Sequence, residues 1–153
     1  MKKAFILAFL GFYLMACSKI DVFEKNVAIE NHEWKSSFTP AVTFDILDTT
    51  AAYNLYIVLR HADAYDFNNI WLKCTVIFPD SSKKSQQYNL PLATNDIGWM
   101  GTGMDDIYET RILIQPRTKF NKPGQYQFIL QQIMREDPLE HVLNAGLRIE
   151  KVK

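Results

Sequence analysis

Few residues in this 153-residue chain have the types and spacing that chemistry demands. His32, His61 and His141 stand singly, with no i, i+4 or H-x-H pair and no cysteine cluster beside them, so they read as surface residues rather than as a zinc site. The serines gather in Ser36-Ser37 and Ser81-Ser82, with Ser85 close by, in polar turn contexts. None lies in the G-x-S-x-G elbow that exposes a nucleophile. Asp105, Asp106 and Glu109 offer hard oxygen ligands, but their spacing lacks the alternation of an EF-hand loop, and a solvated acidic turn is the simpler reading. No catalytic residue, metal or cofactor is assigned, and the expectation is action by binding rather than by catalysis.

Two stretches have the composition of a binding surface. Arg60, Tyr65, Phe67 and Trp71 bracket residues 63–69, which are expected to link two strands lying side by side; aromatic and arginine side chains are the usual anchors of protein interfaces. In residues 96–109, three glycines surround Trp99 before the carboxylate cluster, a loop whose backbone can approach a partner closely. The candidate partner-binding surface is therefore Arg60, Tyr65, Trp71 and Trp99. Two other readings stand beside it: these aromatics cover a sheet edge or cap the core, or they stack on sugars as in a glycan-binding module.

The elements that must position these residues are strands. Val42, Phe44 and Ile46 alternate with polar neighbours, as do Tyr53, Leu55, Ile57 and Leu59, and Tyr126, Phe128 and Leu130; Leu147 and Ile149 do so near the C-terminus. Ile70, Leu72, Cys74, Val76 and Phe78 form another such face, leaving Trp71 on the opposite one. Turn signals such as Asn68-Asn69, Pro79-Asp80 and Pro123-Gly124 separate the runs. Seven to nine strands of this kind predict an all-β antiparallel sandwich, Ig-like or jelly-roll-like, with one helical turn at residues 139–144 at most. Tyr126 stands two residues before a core position, as in a tyrosine corner. Cys74, on an apolar face, is expected to be a buried inert thiol.

The N-terminus is set apart from the fold. Lys2 and Lys3 precede twelve apolar residues, 4–15, which suit the core of an export signal and are too short to span a bilayer. Leu14-Met15-Ala16-Cys17 resembles the lipobox of bacterial lipoproteins, whose cysteine is lipidated and becomes the new N-terminus; an ordinary secretory signal is the alternative. The organisation is then a signal peptide over 1–16, lipid anchor and short tether over 17–26, and a sandwich domain over 27–153. Three acyl chains exceed the two signals needed for stable anchoring. Ser18, rather than Asp, follows the cysteine and favours an outer-membrane address. Removing residues 1–16 leaves 15 basic and 17 acidic residues, a net of −2, with no footprint for nucleic acid.

The residues carrying a family resemblance are Phe23 and Trp34; Arg60, Tyr65 and Asn69-Ile70-Trp71; Leu92-Ala93; and Gly98-Trp99-Met100-Gly101. Tyr126-Gln127-Phe128, Gln132-Ile133-Met134-Arg135, Asp137-Pro138-Leu139 and Gly146-Leu147-Arg148-Ile149-Glu150 complete the pattern. Together with the lipobox they resemble the gliding motility lipoprotein GldH family of Bacteroidota. That resemblance implies a cell-envelope lipoprotein needed for gliding motility that works with other gliding proteins and type IX secretion machinery; the expected location is the outer membrane, on its periplasmic face. It implies no enzyme activity and no small-molecule substrate. A glycan- or peptidoglycan-binding module is the alternative function, and a calcium-dependent loop around Asp105 is a third.

Overall fold

The computed structural model describes residues 21–153. The expected signal peptide, Cys17 and the first four residues of the expected tether, 17–20, lie outside them. The elements in chain order are β1 (Val22–Ala28), a 3-10 turn (Glu30–His32), β2 (Glu33–Trp34), β3 (Ala41–Ile46), β4 (Tyr53–Ala62) and β5 (Asn69–Ile77). They continue with β6 (Lys83–Pro91), β7 (Ala93–Thr94), β8 (Gly98–Trp99), β9 (Thr102–Met104), β10 (Ile107–Thr118), β11 (Gly124–Gln132), β12 (Leu139–Glu140) and β13 (Val142–Lys151). No helix among the described residues is long and apolar enough to cross a membrane.

Two antiparallel sheets form, one in the order β1-β13-β4-β10-β9 and one in the order β3-β11-β5-β6; β12-β2 and β7-β8 make two small extra pairs. Counting the eight strands of six residues or more, the sheets read first-eighth-third-sixth and second-seventh-fourth-fifth. That is jelly-roll order, so the structure selects the jelly roll from the two sandwich types expected.

The alternating residues named from sequence close the core. Leu55, Ile57 and Leu59 of β4 face Leu72 and Cys74 of β5 and Phe128 and Leu130 of β11, all buried. The tyrosine corner is present. Tyr126 is buried, its hydroxyl donates to the Lys122 carbonyl at 2.7 Å, and its ring stacks on Phe44 at 5.6 Å. Burial pushes the Cys74 thiol up to about 12, which leaves it protonated and unreactive. Trp34 is the sandwich's buried tryptophan, its indole N–H donating to the Phe38 carbonyl at 2.9 Å.

Four expectations are corrected. Residues 63–68 do not join neighbouring strands, because β4 and β5 lie in opposite sheets. Residues 139–144 make no helical turn: Leu139 is buried and pairs with Trp34, and β13 begins at Val142. His61 is not a surface residue; it continues the inward face of β4 and is buried. The first strand starts at Val22, not near Val27, so only residues 17–21 separate Cys17 from the folded domain. Fully extended, those five residues reach at most about 17 Å.

The register gives the domain two unlike ends. Val22, Tyr53, Lys151 and Thr118 lie together where β1 and β4 begin and β13 and β10 finish, beside the turns at residues 47–52, 78–82 and 119–123. This is the tether end. The opposite end holds the finish of β4, residues 63–68, the β7–β8 pair and the turns at 133–138. Ten residues of β4 at ~3.3 Å each set the two ends about 33 Å apart.

Candidate functional site

The end away from the tether carries the features most suited to a partner. His61 ends the inward face of β4, and its ring lies against Trp99 (4.5 Å between centroids), Tyr65 (5.4 Å) and Tyr108 (5.9 Å). Tyr65 packs in turn on Phe67 at 5.8 Å, and its hydroxyl donates to the Asn69 carbonyl at 3.0 Å. Burial holds the Tyr65 phenol well above its ordinary range. The sheet pattern that builds β4 thus hands a histidine into an aromatic cap over the core.

Residues 92–110 are bound onto that cap at several points. The Trp99 indole N–H donates to an Asp63 carboxylate oxygen at 2.7 Å. The Met100 N–H donates to the Leu92 carbonyl at 2.7 Å, and the Thr110 hydroxyl donates to the Met100 carbonyl at 2.9 Å. Gly101 has φ +88°, and a Cβ built there would stand 2.2 Å from the Glu109 carbonyl oxygen, so only glycine lets this segment lie so close to β10. Two large apolar side chains project from the fixed loop among the exposed acids Asp96, Asp105 and Asp106: Ile97 and Met104 are 69% and 72% exposed. An ordered loop presenting bare apolar side chains loses little further conformational entropy on binding.

The four residues named from sequence do not form one surface. Arg60 points outward from the five-stranded sheet, opposite Glu109 and Asn144. Trp71 is 41% exposed on the outer face of the other sheet, opposite Asn89. Tyr65 is buried, and Trp99 is half-buried against the core. The sandwich core therefore separates Arg60 from Trp71, while Tyr65 and Trp99 support the distal loop instead of lining an interface.

Sequence reasoning missed Ile97 and Met104 as the exposed positions; the available signal was two apolar residues among turn-forming Asp, Gly and Asn. It also missed an ion network across the five-stranded sheet. Both Glu24 carboxylate oxygens accept from Arg111, at 2.9 and 3.0 Å, and one also accepts from Arg148 at 2.8 Å. Glu109 and Glu150 extend the chain of charges, at 2.7 and 2.6 Å from Arg111 and Arg148. These guanidinium hydrogen bonds hold the Glu24 carboxyl below its ordinary range. Because Glu109 turns to Arg111, the carboxylates suggested for calcium do not converge. Among the described residues no three His, Cys, Asp or Glu side chains gather as a metal site.

His61 gives this end a pH dependence. Its Nδ1 lies 2.9 Å from the Ala62 carbonyl, which can only accept, so Nδ1 carries the proton and Nε2 is left buried without a partner. Burial lowers the His61 pKa from its ordinary 6.5, since protonating Nε2 would enclose a charge that nothing accepts. The unfolded chain then binds the extra proton first. Stability is complete above pH ~6.5 and is lost as the pH falls below it. A melting series from pH 7 to 5 is expected to show this decline in the wild type and a flatter profile in His61→Phe; identical slopes would contradict it.

Comparison with known proteins bears on the whole described domain. The family model for the GldH lipoprotein matches residues 21–149. The gliding motility lipoprotein GldH of Flavobacterium johnsoniae is 31% identical over 159 residues, covering 98% of this chain and 97% of that protein. The gliding motility lipoprotein GldH homolog of Christiangramia forsetii is 28% identical over 156 residues, covering 97% of this chain and 95% of that protein. Solved structures with some likeness include a carbohydrate-binding module specific for non-crystalline cellulose, 10% identical with a TM-score of 0.39 over 85% of this chain and 72% of its own. The VP2 subviral particle of infectious bursal disease virus is 11% identical with a TM-score of 0.37, over 84% of this chain and 32% of its own. Neither score is high enough to support an argument.

Proposed function

The chain belongs to the GldH lipoprotein family, and on that premise we propose that it is a lipid-anchored component of the cell envelope that serves gliding motility by binding, not by catalysis. The observation that carries the binding reading is the distal loop: Ile97 and Met104 stand exposed on a segment that hydrogen bonds at Trp99, Met100 and Thr110 hold in place. Its partners are the other gliding proteins and the associated type IX secretion machinery, reached across the periplasm from the outer membrane through Cys17. The names borne by the two relatives support the motility role, and the Leu14-Met15-Ala16-Cys17 motif supports the anchor.

Deletion of the gene is expected to abolish colony spreading, and the wild-type chain to restore it. The double variant Ile97→Asp, Met104→Asp should accumulate to normal levels yet fail to restore spreading. Normal spreading of the deletion strain, or full rescue by the double variant, contradicts the proposal.

A second reading rests on the outer face of the four-stranded sheet. There Trp71 stands beside Asn89, with Gln87 and Gln131 both opposite Lys73, a ring and uncharged amides suited to a sugar. Trp71→Ala is expected to change stability by no more than ~0.5 kcal/mol, as for an exposed position. Urea denaturation checks this, and a larger loss would place Trp71 in the core. Fluorescence quenching by peptidoglycan oligosaccharides that disappears in Trp71→Ala would favour the glycan reading; no quenching favours the motility partner.

A further inference from the structure

The two ends of the domain differ in charge as well as in shape. Within two residues of the strand ends that meet at the tether, and in the turns between them, stand seven basic and six acidic residues, a net of +1. The rest of the described domain has seven basic and eleven acidic residues, a net of −4. Four of the six acids at the tether end are already engaged: Glu24 with Arg111 and Arg148, Asp48 with Lys151 at 2.7 Å, Glu150 with Arg148, and Asp80 with Lys122. Lys83, Lys84, Arg117, Lys119 and Lys153 form no ion pair among the described residues and leave their charge to solvent.

The same end leaves part of the core open to solvent. Leu47, next to the Asp48–Lys151 pair, is 86% exposed, the most exposed large apolar side chain among the described residues. Beside it a cleft of about 480 Å³ opens over Phe23, Phe44 and Tyr53. A second cleft of about 370 Å³ lies between the sheets over Phe78, Phe120 and Tyr126, with Lys84, Lys119 and Lys122 at its rim.

We infer that this end is a membrane-docking face whose occupant is the anionic lipid leaflet holding the Cys17 lipid. The inference rests on the lipid anchor of the proposed function and adds how the domain sits on it. Three observations fix the occupant. The tether's five residues reach at most about 17 Å, so this end alone stays near the headgroups. Its free charge is positive, whereas the rest of the domain is negative and is repelled by an anionic surface. Leu47 lies where an apolar side chain would enter the headgroup layer. Docked in this way, the domain carries Ile97 and Met104 about 33 Å above the lipid.

The test uses the full lipidated chain in phosphatidylethanolamine vesicles containing phosphatidylglycerol, with phosphatidylcholine vesicles for comparison. Flotation reads the anchor, and labelling by a water-soluble amine reagent, resolved by mass spectrometry, reads the docking. Lys83, Lys84 and Lys119 are expected to label about fivefold more slowly on anionic than on neutral vesicles, relative to Lys35 at the far end. High salt should abolish the difference without any change of sequence. Lys83→Glu with Lys119→Glu should abolish the difference at the remaining Lys84 at low salt while flotation persists, and Cys17→Ser should prevent flotation. Flotation with equal labelling on both vesicles overturns the docking face alone. Failure of the wild type to float overturns the anchor and the docking together.

Discussion

Replacing Gly146 by alanine is expected to destabilise the domain by about 3 kcal/mol, because the added methyl has nowhere to go. A Cβ at this position stands 2.1 Å from Asn26 Oδ1 and 2.3 Å from the Lys25 carbonyl oxygen. The amide of Asn26 can swing away. The Lys25 oxygen is main chain, so β1 itself must move from β13. That strand contributes Glu24 to the ion network over the sheet and is the first folded element after the tether, so its displacement loosens the attachment of domain to anchor. The fall in melting temperature is expected to be about 10 °C. Gly98→Ala is the control: its φ is +69° but nothing lies within 4 Å of the new Cβ, so only the backbone strain of about 1 kcal/mol applies. Equal losses at the two glycines would show that β1 is not held as closely as described.

Trp99→Ala is the second large effect, at about 2–4 kcal/mol by urea denaturation. This differs from the loss within ~1 kcal/mol that a surface tryptophan would give. Removing the indole uncovers His61 and Tyr108 and leaves the Asp63 carboxylate without its 2.7 Å donor. The two contributions separate in Trp99→Phe, which retains an aromatic ring and forfeits the hydrogen bond; about 1 kcal/mol of the loss should remain. The alanine variant should also fail to support gliding through misplacement of Ile97 and Met104. A Trp99→Ala chain of unchanged stability would return Trp99 to the surface and remove the support assigned to the loop.

Period-two alternation made the sandwich legible, because each long strand has one face in a shared core. Tyr126 could be read for the same reason: a tyrosine corner is local, needing only a tyrosine at a fixed offset from a turn. Jelly-roll order is nonlocal. Nothing in residues 63–68 says whether the chain returns beside β4 or crosses to the other sheet, so sequence alone puts Arg60 and Trp71 together although they face opposite ways. His61 was within reach, as it extends the face of Tyr53, Leu55, Ile57 and Leu59 by one more step of two. A polar residue at the end of an apolar face is easily taken for its boundary. The start of β1 was obscured by Lys25, which interrupts the alternation of Phe23 and Val27 on an edge strand, where inward charge is tolerated because water is close. The two-ended distribution of charge combines turns far apart in sequence and becomes visible only once the strand register is known.

Site-specific photocrosslinking in the intact envelope tests the central claim, that the distal loop is where this lipid-anchored domain meets its partner. A photoreactive amino acid is placed at Met104, and in a second strain at Gln87 on the outer face of the four-stranded sheet. Capture of a gliding or type IX secretion protein from Met104 and not from Gln87 is the predicted result. Capture of no such protein from Met104, or equal capture from both positions, would contradict it.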